Sequence, residues 1–75
     1  MLTTKELSAI RDSLPKDGLK RIADKTNYDS STVGKALREP DRFNIKIIEA
    51  ALEVISEYKE EVKALKNKIK STTKL

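Results

Sequence analysis

The sequence predicts an all-α protein: a small bundle of about four helices, the last of them extended well beyond the others. Two observations carry that expectation. Apolar residues recur at spacings of three and four through most of the chain, the period of a helix with one buried face. Residues that start and stop helices stand at the ends of those periodic runs. No internal repeat and no low-complexity linker interrupts them.

The first helix opens at Thr3, where Thr3 and Glu6 form a capping box. Leu7, Ile10 and Leu14 make its apolar stripe, and Pro15 stops it by forcing the preceding residue out of the helical region. Pro15-Lys16-Asp17-Gly18 is a turn, and Asp17 or Gly18 caps a short second helix ending near Thr26. Leu19, Ile22 and Ala23 are its buried face, with Lys20, Arg21, Asp24 and Lys25 pointing outward. Asn27-Tyr28-Asp29 is the next turn. Asn27 suits a sharp reversal because asparagine tolerates the left-handed backbone conformation, and Asp29 is placed to N-cap a third helix. In that helix Val33, Ala36 and Leu37 face inward, while Ser30, Ser31, Gly34, Lys35 and Arg38 face out; Pro40 ends it at Glu39. Phe43 is expected to plug the core from the following loop. Asn44 or Asp41 caps the long final helix from about Ile45, and the end is expected to fray from Ser71.

Composition narrows the function. With 75 residues the chain lies near the size at which stability is marginal. It has no cysteine and no histidine, which removes disulfides, thiolate metal sites and every Ser-His or Cys-His catalytic arrangement. No catalytic residues, metal ligands, cofactor or small-molecule ligand are expected, and the chain is not read as an enzyme. No uninterrupted apolar run supports a signal peptide or a membrane span, so a cytoplasmic location is the default. Net charge is +4, suited to a polyanion. It is unevenly placed: residues 1–58 hold 10 basic and 10 acidic residues, and residues 59–75 hold 6 basic and 2 acidic. Any DNA affinity of the first part must therefore come from local arrangement.

The stretch from Leu19 to Leu37 carries the clearest motif. Two helices cross closely only where the residue at the crossing is small, and Ala23 holds that place. Asn27 follows four residues later as the turn, and the β-branched Val33 six residues after that anchors the next helix from beneath. This is the spacing of a helix-turn-helix, whose second helix protrudes by its N-terminal turn and can enter a major groove about 12 Å wide.

The run IADKTNYDSSTVGKAL resembles the helix-turn-helix of the lambda-repressor-like superfamily, with Ile22-Ala23-Asp24-Lys25 and Val33-Gly34 similar to phage repressors. The recognition helix, loop and further helix rich in Ile, Glu and Ala resemble the lactose-repressor-type headpiece. The likeness covers roughly Leu19 to Ser56. It implies base reading by Ser30, Ser31 and Lys35, and phosphate contacts from Thr32, Arg38, Arg42 and Asn44. It also places Gly18, Leu19 and the neighbouring Lys20 at a helix start that faces a phosphate, a position that favours anions generally. Serine hydrogen-bonds any base, whereas lysine prefers guanine acceptors, so Lys35 is the better discriminator. Asn27 replaces the glycine usual in the turn, and Tyr28 is larger than the usual aliphatic residue.

Along the final helix, Ile48, Ala51, Ile55, Tyr58, Val62, Leu65 and Ile69 alternate at spacings of three and four. Ile48, Ile55, Val62 and Ile69 fall at heptad position a, where β-branched residues favour two parallel strands. Nothing later in the chain covers the second half of this seam. The expected division is a helix-turn-helix DNA-binding domain over 1–58 and a dimerisation segment over 59–75, with Ile55, Tyr58, Val62, Leu65 and Ile69 at the interface and Glu61 meeting Lys66 of the other copy. The reading is a homodimeric, double-stranded-DNA-binding regulator of the phage or mobile-element repressor type. Two other readings stay open: an adaptor pairing its last helix with another protein, and nonspecific nucleic-acid binding through the basic tail.

Overall fold

The computed structural model describes residues 2–73. Four helices, α1 (Thr4–Ser13), α2 (Gly18–Thr26), α3 (Ser30–Arg38) and α4 (Ile45–Thr73), follow one another, with a single 3-10 turn at Pro40–Arg42. Among the described residues there is no strand. The architecture is a small all-α bundle with a long C-terminal helix.

Each boundary has a local cause. The Thr3 hydroxyl accepts from the Glu6 amide at 3.1 Å and the Glu6 carboxylate accepts from the Thr3 amide at 2.9 Å, closing the capping box. Leu14 is extended ahead of Pro15, as the proline ring demands. Gly18 has a different duty: a β-carbon there would lie 2.9 Å from the Leu14 β-carbon, so only glycine lets α2 start this close to the end of α1. Asp17 occupies the N-cap position of α2 without a capping bond. Its carboxylate instead accepts from Arg21 Nε at 3.1 Å.

The core gathers the inward faces of all four helices. Leu7, Ile22, Val33, Leu37, Ile47 and Val54 are fully buried, and burying a side chain of this kind contributes about 1.5–3 kcal/mol. On α4 the covered face is broader than one heptad seam. Ile47, Ala50 and Val54 are buried together with Ile48, Ala51 and Ile55, because α4 packs against α1, α2 and α3 at once. Arg11 adds a tie the sequence reading did not contain: its guanidinium donates to the Leu37 carbonyl at 2.6 Å, placing a cation on the C-terminal end of α3.

Several expectations are corrected. Phe43 is not a core plug; the residue is 41% exposed. Leu19 is likewise 42% exposed rather than part of the buried face of α2. Arg21 and Lys25 do not simply point outward. Arg21 grips both oxygens of Glu61 at 3.1 and 3.2 Å, and Lys25 reaches Glu57 at 3.0 Å, so this side of α2 is turned toward α4. α4 does not fray from Ser71 but continues to Thr73; the remainder of the tail lies outside the described residues.

Candidate nucleic-acid interface

A three-residue turn, Asn27 to Asp29, joins α2 to α3. Asn27 adopts φ 64°, ψ 14° and is the one non-glycine residue of positive φ among the described residues. Its amide donates to the Ala23 carbonyl at 2.8 Å, ending α2 with a left-handed cap. Two residues on, the Asp29 carboxylate accepts from the Thr32 amide at 2.9 Å and starts α3. Those bonds from Thr32 hold the Asp29 carboxyl below its ordinary range, with Lys35 adding a smaller attraction. Val33 and Leu37 then lock α3 into the core. Tyr28 packs partly against the same core.

With its inner face fixed, α3 offers Ser30, Ser31, Thr32, Lys35 and Arg38 to solvent. Among the described residues Lys20, Lys35 and Arg38 enter no ion pair. The Arg38 guanidinium folds back so that Nη2 lies 3.6 Å from where a β-carbon on Gly34 would stand. Arg42 makes only a long, exposed contact of 3.5 Å with Glu39.

Four of the anticipated contact residues converge. Thr32, Lys35, Arg42 and Asn44 line one groove of about 400 Å³ between α3 and the start of α4, together with Ala36, Asp41, Phe43 and Ile47. Asn44 has a prior commitment: it N-caps α4, its Oδ1 accepting from the amides of Lys46 at 3.0 Å and Ile47 at 3.3 Å. Only its side-chain nitrogen remains free to donate outward. Ser30, Ser31 and Arg38 lie on the exposed surface of the same helix, outside the groove lining.

The residues at the start of α2 stand apart from this group. Gly18 is buried, and its amide donates to the Pro15 carbonyl at 2.9 Å, so it is not an outward-facing phosphate ligand. Leu19 lines a separate depression with Arg11, Leu14, Pro15 and Lys16. Lys20 is exposed. Sequence reasoning missed Phe43 as a surface group, and its neighbours in the loop, Asp41 and Arg42, were the available signal.

Of the residues assigned to a dimer seam, Ile55 belongs to the chain's own core. Val62 is half-buried, sharing a shallow depression with Tyr58, Lys59 and Ser13 at the end of α1. Beyond it Leu65 is 57% and Ile69 41% exposed. Glu61, expected to meet Lys66 of a second copy, is already held by Arg21. Along one flank of the stripe, Lys59, Lys63, Lys66 and Lys70 form a basic ridge with Val62 and Asn67 between them.

Among the described residues no cluster of acidic, cysteine or histidine side chains could hold a metal ion, and no helix is long and apolar enough to cross a membrane. Comparison of the chain with protein-family models, with curated protein sequences and with solved structures finds no match.

Proposed function

We propose that the protein binds double-stranded DNA in a sequence-directed way, placing α3 in the major groove, as a small regulator of the lambda-repressor-like kind. One observation supports this reading: a short turn with the left-handed Asn27 joins α2 to α3, Val33 is buried beneath α3, and the outer face of α3 is exposed. Ser30, Ser31 and Lys35 are the base-reading candidates. Lys20, Arg38 and Arg42 supply charge for phosphates, and Thr32 and Asn44 supply neutral donors.

Such a short reading surface covers few bases, and two half-sites bound by a dimer are the usual remedy. The second copy covers Val62, Leu65 and Ile69, with Tyr58 at the edge of the contact. These continue the side of α4 that α1 and α2 occupy up to Glu61, since residues seven apart share a face. A copy running in the same direction would bring its own α1 and α2 into that occupied space. The parallel pairing expected from the heptad pattern therefore gives way to an antiparallel, tail-to-tail one.

Selecting bound duplexes from a random pool tests the reading directly. A two-fold symmetric consensus is the expected outcome, with affinity falling steeply as salt rises. Lys35→Ala should relax the sequence preference, whereas Arg42→Ala should weaken all duplexes alike and reduce the salt slope by about 1. A monomer with no duplex affinity at low salt would favour the adaptor instead, and the lysine ridge beside an apolar stripe would then mark an acidic partner helix.

A further inference from the structure

Phe43 is the chain's only phenylalanine, and 41% of its surface remains exposed. Packing within the isolated chain leaves that part of its apolar surface uncovered. Its surroundings are chemically mixed. Lys35 and Arg42 bring two cationic heads to the same groove, Thr32 a hydroxyl, and Ala36 and Ile47 an apolar floor. Asp41 is the one carboxylate on the lining, and Glu39 engages Arg42 only at 3.5 Å. Asn44 has its oxygen tied up in capping and can offer only N–H groups. Cations and donors outnumber acceptors, and they lie beside a flat apolar surface.

A phosphate attached to a ring with an apolar C–H face matches that arrangement, and in a DNA strand the repeating unit is a phosphate attached to a deoxyribose, whose C–H face is of that kind. We infer that the groove between α3 and the start of α4 is a subsite for one nucleotide of the strand flanking α3, with Arg42 and Lys35 at its phosphate and Phe43 against its sugar. This rests on the reading of the protein as a duplex-binding protein and adds a contact to it that salt does not screen. It also gives Lys35 a second task, since the residue lines the groove as well as the outer face of α3.

The test uses the full chain and the best duplex from the random-pool selection, titrated over a series of salt concentrations. Phe43→Ala should weaken binding about tenfold at every salt concentration and leave the log–log salt slope unchanged, the mark of an apolar contact. Arg42→Ala should lower that slope by about 1. Phe43→Leu keeps an apolar residue ahead of the Asn44 cap but removes the ring, so it should lose part of the affinity with an unchanged melting temperature. Wild-type affinity in both Phe43 variants would overturn the subsite while leaving DNA binding intact. A loss of affinity tracking a fall in melting temperature, or a changed salt slope in Phe43→Ala, would overturn it equally. A wild-type chain that binds no duplex would overturn the subsite and the proposed function together.

Discussion

The first turns of α4 and its last turns carry the same kind of apolar stripe, on the same side of the same helix, with opposite fates. Ile47, Ala51 and Val54 are sealed under α1, α2 and α3; Leu65 and Ile69 stand open. Between them lies a joint in which Arg21 and Lys25 of α2 hold Glu61 and Glu57. Past Val62 the helix projects alone. The two regions teach that a helical period identifies a face and leaves its occupant unspecified. In the first region the occupant is the rest of the chain. In the second it must come from outside, or the face stays wet.

The largest expected effect separates the two regions by stability. Leu37→Ala removes a fully buried side chain and should cost about 2–5 kcal/mol. For a chain of this size the whole stability is about 4–11 kcal/mol, so the variant loses a large share of it and should unfold at a markedly lower denaturant concentration. Leu65→Ala should change the stability of a dilute monomer by less than about 0.5 kcal/mol. Denaturant titration of both, at a concentration too low for association, checks the contrast. A comparable loss in the two variants would mean that the projecting end is packed after all.

A smaller effect concerns what covers that end. In an antiparallel pair the flanks bearing Lys59, Lys63, Lys66 and Lys70 fall on one side of the assembly, so eight lysines repel one another. Association without DNA should therefore tighten as salt is added, the reverse of the trend for DNA binding. Sedimentation over a salt series measures it, and Leu65→Lys should abolish association while leaving the helical content intact. Spacing offers a second check. Overlap of residues 62–73 leaves roughly 45 residues of helix between the two Ile45 positions, about 68 Å at 1.5 Å per residue. The groove beside Asn44 puts α3 close to that end of α4. Selected half-sites should accordingly lie about two turns of B-DNA apart. A one-turn spacing would sink the antiparallel arrangement.

Much of the head is legible in the sequence because its helix ends are set by local chemistry. Thr3 with Glu6, Pro15, Asn27, Asp29, Pro40 and Asn44 each act within four residues of themselves, and each marks a boundary where the structure has one. What escaped reading depends on groups far apart in the chain. Arg21 meets Glu61 across 40 positions, and Arg11 reaches Leu37 across 26. Whether Leu19 is covered turns on how neighbouring elements approach, which no residue type reveals. The same limit explains the missed burial of Ile47, Ala50 and Val54: one seam is visible in the spacing, while a helix packed by three others hides a wider arc. At the candidate interface the residue types were readable, and their grouping was not. Thr32, Lys35, Arg42 and Asn44 share a groove, and Gly18 is withdrawn from any ligand.

The smallest effect is a pH dependence confined to one of the two regions. From Val62 to Thr73 there is no acidic residue, so acid acts only on the head. There, Glu6 is held below its ordinary range chiefly by the Thr3 amide, and Asp29 by its bonds from Thr32. A carboxyl whose pKa is lower folded than unfolded favours the folded state when ionised. Its contribution is complete above the unfolded value, about 4, and disappears as pH falls through the folded one. Asn caps a helix about as well as Asp but does not titrate. Wild-type stability should therefore decline between about pH 5 and 2 more steeply than that of Asp29→Asn. Thermal melts over that range would show the divergence, and parallel profiles would mean that the Asp29 cap contributes nothing as a charge. The same variant removes a negative group from the N-terminal end of α3. If α3 enters DNA as proposed, the affinity of this variant for duplex at neutral pH should rise modestly, because the carboxylate that starts the helix would repel the nearby phosphates.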